Sequence, residues 1–143
     1  MDAPFEIEPK SGVLRFAQIP LTLAPNQPVA AFLATAAGAR ATDGGGNDGW
    51  QQYQLVHDLS DGRVLGVSLF FFNACLTKIR FDYRPKSECG WSNWSEKREL
   101  ARTADYEREI VRQLGSRGRF QWGVADAGYD DKAASAILFV NYA

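Results

Sequence analysis

A single histidine, His57, stands in the stretch WQQYQLVHDLSDG beside Asp58, Ser60 and Asp61. Imidazole is the side chain best suited to moving protons near neutral pH, so His57 is the one candidate general base, and a lone histidine rules out a histidine-based metal cluster. A nucleophile relay is built by geometry in space, and adjacency along the chain does not supply it. The expected role of His57 is therefore a strand-end residue that faces solvent or caps a turn. The loop GGGNDG, residues 44–49, formally matches the glycine pattern that cradles a pyrophosphate. That chemistry needs a strand before the loop and a helix N-terminus after it, whereas polar ARATD precedes and strand-like WQQYQL follows. Asp43, Asn47 and Asp48 offer oxygens for calcium, yet their spacing matches no EF-hand loop and its bidentate glutamate is absent. Neither cofactor nor metal is expected.

Two further features bear on chemistry. Glu107 falls among apolar positions of a helical stretch, where a carboxylate must be paired, protonated or functional. Pairing with Arg80 or Lys78 from a neighbouring sheet is the favoured reading; marking a cleft is the other. Trp91 and Trp94 flank the start of the same helix, one expected to staple it to the sheet edge and one to remain a half-exposed anchor of an interface. The closing segment FQWGVADAGYDDKAASAILFVNY places WG and YDDK between two strand-like runs. In a hairpin, Phe120 and Trp122 would pack on alternate residues of Ala136 to Tyr142, and Gly123 would permit a bulge or a close backbone approach. Asp130, Asp131 and Lys132 would occupy the turn, where aspartate bonds nearby N–H groups.

The elements that position these groups follow from the pattern of apolar residues. GVLRFAQIPLTL (12–23) reads as a strand broken or ended at Pro20, and a short helix is expected from Pro28 to Gly38. GARATDGGGNDGW (38–50) reads as a flexible glycine loop. Then come three strands: WQQYQLVHDL with Tyr53, Leu55 and His57 on one face, RVLGVSLFFF, and CLTKIRFDY, the last two joined at Asn73-Ala74. In the third, Cys75, Ile79, Phe81 and Tyr83 alternate with Leu76, Lys78, Arg80 and Asp82, as in a half-buried antiparallel strand. Asn93 with Glu96 three residues on is a capping-box pattern, predicting a long helix from Trp94 to Leu114 stopped by Gly115. Its buried face is expected to carry Leu100, Ala104, Ile110, Val111 and Leu114, with Glu107 near the middle. The pairs Glu99–Arg102, Asp105–Arg108 and Glu109–Arg112 are expected on the wet side. RFQWGVADA and ASAILFVNY complete the set as strands turning across Gly128 and Asp130.

The fold class is thus α+β: residues 1–143 as one domain, a mostly antiparallel meander sheet packed by one long helix in the C-terminal half, plus a short N-terminal helix. With 45% hydrophobic and 23% charged residues the chain has a folded protein's composition. A formal charge of −1 gives no field to hold a nucleic acid. The longest apolar run, VLGVSLFFFNACL, is too short to span a membrane, and the acidic opening MDAPFEIEPKSG lacks the features of a secretory leader, which points to the cytoplasm. Cys75 reads as a buried inert thiol and Cys89 as a turn residue; a bridge between them has no support.

Several motifs together resemble a known group. LTLAPNQPVAAFL (21–33), the tryptophan-flanked helix start WSNWSEKRELAR, and WG followed by YDDK and an apolar strand ending in Tyr142 resemble small bacterial immunity proteins that neutralise secreted polymorphic toxins. The chain departs from that pattern at Pro28-Val29-Ala30-Ala31, in place of a more polar helix start, and at Asn73-Ala74, in place of Asn-Gly. The resemblance implies an inhibitor that occludes a cognate toxin and performs no chemistry itself. The contact residues it implies are Trp91, Trp94, Tyr129, Asp130, Asp131, Asp43 and Asp48. Carboxylates there would suit the basic active site of a nuclease toxin, although the near-neutral total charge argues against that target. The alternative is a small-ligand binder or enzyme that uses a helix–sheet cleft with Glu107 and His57, and a third reading is a self-associating scaffold.

Overall fold

Alternating apolar and polar residues suit a sheet with one covered face, and the computed structural model, which describes residues 2–143, builds that sheet from seven antiparallel strands. They are β4 (Thr42–Gly45), β5 (Trp50–Asp58), β6 (Arg63–Phe72), β7 (Cys75–Pro85), β8 (Gly118–Phe120), β9 (Gly123–Asp130) and β10 (Ser135–Tyr142), in the order β4-β5-β6-β7-β10-β9-β8. The first four form a meander. The helix α3 (Glu96–Leu114) then carries the chain across, and the last three strands return so that β10 lies against β7. A separate three-stranded sheet, β1 (Phe5–Ile7), β2 (Leu14–Phe16) and β3 (Thr22–Leu23), precedes two short helices, α1 (Val29–Leu33) and α2 (Ala36–Arg40).

Register puts one apolar row through the middle of the large sheet: Leu55 opposite Val67, Val67 opposite Phe81, Phe81 opposite Leu138, and Leu138 opposite Ala127. All are buried. Three covers close this inner face. The small sheet sets Phe5 and Phe16 against Phe81, with ring centroids 4.9 and 5.7 Å apart. α1 sets Phe32 on Tyr53 and Phe71. α3 contributes Tyr106 and Ile110, both at most 1% exposed. Each such side chain stabilises the fold by about 1.5–3 kcal/mol through the apolar area it removes from water. Polar ties fix the small sheet: Gln113 of α3 accepts from the Ile7 N–H and donates to the Phe5 carbonyl, Trp122 Nε1 donates to the Pro9 carbonyl, and the Tyr142 hydroxyl donates to that of Gly12.

The α+β class, the meander and the long helix agree with expectation, and several details do not. The run 12–23 is two short strands, with the chain turning through Pro20 between them. The expected helix from Pro28 to Gly38 is divided, because the Thr35 side chain accepts from the Gly38 N–H and so caps a second helix. The glycine loop is partly ordered: Thr42–Gly45 pairs with β5 as the sheet's edge. In β7 a bulge shifts the register between the Phe71–Leu76 and Phe70–Lys78 pairs, which turns Leu76 inward and leaves Cys75 half-buried, contrary to the expected alternation. Both cysteines are free.

α3 begins two residues later than the capping-box pattern predicts. Ser95 is the N-cap, its hydroxyl accepting from the Arg98 N–H, while Asn93 ends a 3-10 turn and donates to the Cys89 carbonyl. Gly115 stops the helix at φ 81, as expected. The buried face is Glu99, Thr103, Tyr106 and Ile110, whereas Leu100 and Val111 are exposed. All three expected pairs form: Asp105–Arg108 and Glu109–Arg112 as predicted, and Glu99–Arg102 on the core side, where Glu99 is buried, instead of in water. Glu107 is half-buried and pairs with Arg117, not with Arg80 or Lys78. The last hairpin turns at residues 131–134, so Gly128 and Asp130 lie in β9, and Gln121-Trp122 form a further turn before it. Gly123 keeps its expected reason: a Cβ there would lie 2.1 Å from the Asn141 carbonyl oxygen.

Candidate partner-binding surface

The two tryptophans are set by a short turn. Gly90, at φ 85, admits the 3-10 turn Trp91–Asn93, which leaves the Trp91 and Trp94 rings 6.3 Å apart. Trp94 Nε1 donates to the Ala134 carbonyl at 2.7 Å and so staples the start of α3 to the turn between β9 and β10. Trp91 has no such tie and is 73% exposed. An indole left this far in water by an otherwise well-packed chain is the kind of side chain that anchors interfaces.

Asp130 is spoken for. One carboxylate oxygen accepts from the Lys132 and Ala133 N–H groups, at 3.0 and 3.2 Å, and the other is ion-paired with Arg80. The Arg80 guanidinium, with those turn amides, holds the Asp130 carboxyl below the usual carboxylate range. Its role is to shape the turn, which presents Asp131 to solvent beside half-buried Tyr129. Five of the sequence-derived positions, Trp91, Trp94, Tyr129, Asp130 and Asp131, thus gather at one end of the molecule. Asp43 and Asp48 do not join them: they lie on β4 and in the turn before β5, at the sheet's opposite edge from β9. Asp43 accepts from the Gly45 N–H.

Behind the tryptophans lies a charged joint. β10 pairs with β7 only as far as Leu138–Phe81, and beyond that point the Glu99 carboxylate takes the Ala136 N–H at 3.2 Å. Arg84 meets Glu99 at 3.0 Å and Asp82 at 3.0 Å, and Arg102 meets Glu88 at 2.6 Å and Glu99 at 3.4 Å. Burial pushes the Asp82 carboxyl above its ordinary range, against the opposing pull of Arg84. Every charge here has a structural partner, so the joint fixes the helix to the sheet.

The helix–sheet cleft imagined for an enzyme is not assembled from its two polar groups. Glu107 lines a surface depression with Arg108, Val111, Arg112 and Arg117, and His57 sits on β5 opposite Leu65. Among the described residues no group of three or more His, Cys, Asp or Glu could hold a metal ion. No helix among the described residues is long and apolar enough to cross a membrane.

A larger surface was missed by sequence reasoning. Among the described residues the outer face of the large sheet carries no helix or strand layer, and its cross-strand rows are Gln54–Ser68–Arg80–Phe139–Asp126 and Gln52–Phe70–Lys78–Asn141–Val124. Two adjoining depressions share Phe70, Arg80 and Ile137. One, of about 340 Å³, runs toward Asp82, Asp130 and Ala133. The other, of about 440 Å³, is lined by Trp50, Phe70, Lys78, Arg80, Ile137, Phe139 and Asn141. The Lys78 ammonium sits 5.1 Å from the centre of the Trp50 ring, a cation–π placement that holds it over the groove's end. The sequence signal was there: Phe70, Ile137 and Phe139 stand on the side of their strands where the alternation calls for polar residues. Ala133 lines both the first depression and a smaller one beside Trp91 and Trp94, so the hairpin turn is the crest between the tryptophans and the groove.

No family model matches the chain, and no curated protein matches it. Among solved structures, a chain of "Rhs1-CT in complex with cognate immunity protein RhsI1" matches with a TM-score of 0.65 and 17% identity, over 96% of this chain and 86% of that one. At that identity the likeness is one of fold.

Proposed function

We propose that this protein is an immunity protein that binds a cognate secreted toxin and neutralises it by covering it, acting in the cytoplasm and doing no chemistry itself. The observation that carries this reading is the fold shared along nearly the whole chain with a component of a complex between Rhs1-CT and its immunity protein. The surface supports it. A packed inner face leaves the scaffold rigid, while Trp91, the hairpin crest and the outer-face groove present aromatic and polar groups on fixed elements, as a partner-binding surface requires. Trp91, Trp94, Tyr129 and Asp131 are the proposed contacts at the hairpin end, with Asp130 holding the turn in shape. Asp43 and Asp48 can join only a partner broad enough to reach the β4 edge.

The test is protection. A bacterial host that expresses the cognate toxin domain should stop growing, and co-expression of this protein should restore growth and yield a stoichiometric complex on purification. Trp91→Ala should weaken both effects. A folded protein that neither protects nor co-purifies would sink the proposal and turn attention to small ligands.

A further inference from the structure

We infer that the outer-face groove around Lys78 and Arg80 receives an apolar segment of the toxin flanked by carboxylates. This rests on the immunity reading and adds to it the chemistry of the contact. The larger depression is walled by Trp50, Phe70, Ile137 and Phe139, and its only charged groups are Lys78 and Arg80; no carboxylate lines it. Lys78 has no ion-pair partner among the described residues, and its ammonium is held in place over Trp50. Arg80 commits one terminal nitrogen to Asp130 while its side chain stays 41% exposed, so guanidinium donors remain on the groove side.

Two cations inside an apolar rim attract a carboxylate and repel a basic surface, and the rim excludes water from the pair once it is filled. A nucleic acid is poorly matched, since phosphate binding draws on many cations and the chain's formal charge is −1. The charge of this groove is opposite to that of the aspartates at the hairpin end. On the groove side the partner supplies the negative charge.

Two measurements separate this inference from the reading beneath it. The first is the affinity of the toxin domain, by calorimetry, for the native chain, for Lys78→Glu, and for Lys97→Glu as a control at an exposed position of α3. Lys78→Glu should melt like the native chain yet bind at least tenfold more weakly, and Lys97→Glu should bind within twofold of it. Equal affinity for the native chain and Lys78→Glu overturns the groove contact and leaves the immunity reading standing. No binding by the native chain overturns the immunity reading, and a second measurement then judges the groove. A blocked tripeptide of phenylalanine between two glutamates, its counterpart with two lysines, and inorganic phosphate are each titrated into the ¹⁵N-labelled protein. Shifts at Trp50, Lys78 and Phe139 with the acidic peptide alone support an acidic, apolar occupant. Equal response to both peptides, no response, or the same response to phosphate overturns it.

Discussion

Glu99 is 2% exposed, and its carboxylate has three claims on it: Arg84, Arg102 and the Ala136 N–H. Removing one member of a buried ion pair leaves the others uncompensated, so Glu99→Ala should cost about 3–5 kcal/mol in urea unfolding. Asp105→Ala, which breaks only an exposed pair with Arg108, should cost no more than about 1 kcal/mol. Similar losses for the two would mean that the charged joint is not structural. Tyrosines carry the pH dependence. Burial pushes the Tyr83 hydroxyl up to about 12, and raises those of Tyr106 and Tyr142 as well. A folded-state pKa above the unfolded value means that the unfolded chain loses its proton first. Stability is then full below the ordinary tyrosine range, near 10, and falls as pH climbs toward and through 12. The urea midpoint should be lower at pH 11 than at pH 9, with tyrosinate absorbance from these residues appearing together with unfolding; a midpoint unchanged between the two would refute this. None of this could be read from sequence, because Glu107 and Glu99 are indistinguishable as glutamates on a charged helix. Only the rotation of the helix decides which one is buried.

That rotation is a property of the element, and here the hydrophobic count was right at Ile110 and Leu114 and wrong at Leu100 and Val111. The buried face of α3 includes Glu99 and Thr103, polar residues that are satisfied in place, and Tyr106, whose hydroxyl both donates to the Tyr83 carbonyl and accepts from its N–H. Leu100 and Val111, which scored as core, face water. A stripe read by hydrophobicity alone cannot know that a polar side chain will find its partner across the sheet. The strands were more legible, since period-two alternation from Tyr53 to Phe81 needs no partner to be recognised, and it failed only at the β7 bulge. The helix start separates the two capping readings. Ser95→Ala should cost about 1 kcal/mol, because the Arg98 N–H loses its acceptor, and Asn93→Ala should cost less, because Asn93 lies outside the helix. Thermal unfolding of the two variants decides between them; a larger loss at Asn93 would restore the capping box that the structure replaces.

Over the whole molecule, the two faces of the large sheet differ in what covers them. The inner face is closed by the small sheet, α1 and α3, and the outer face by no element among the described residues. The sequence conveyed the inner face through its apolar alternation, while the outer groove is made of residues from four strands, β5, β6, β7 and β10, that only topology brings side by side. Ser68 and Leu69 are neighbours on β6 that point to opposite sides: Leu69 is fully buried, and Ser68 lines the outer groove. Leu69→Ala should lose about 2–5 kcal/mol by leaving a cavity. Whatever protection it fails to give should return when the temperature is lowered enough to refold it. Ser68→Arg puts a long side chain into the groove at a position with room for it, and its stability should change by no more than about 0.5 kcal/mol. If the outer face is where the toxin docks, Ser68→Arg should fold as the native chain does and still fail to protect or to bind at any temperature. If instead protection by both variants tracks only the fraction folded, recognition does not use this face, and the exposed Trp91 end of the molecule must carry it alone.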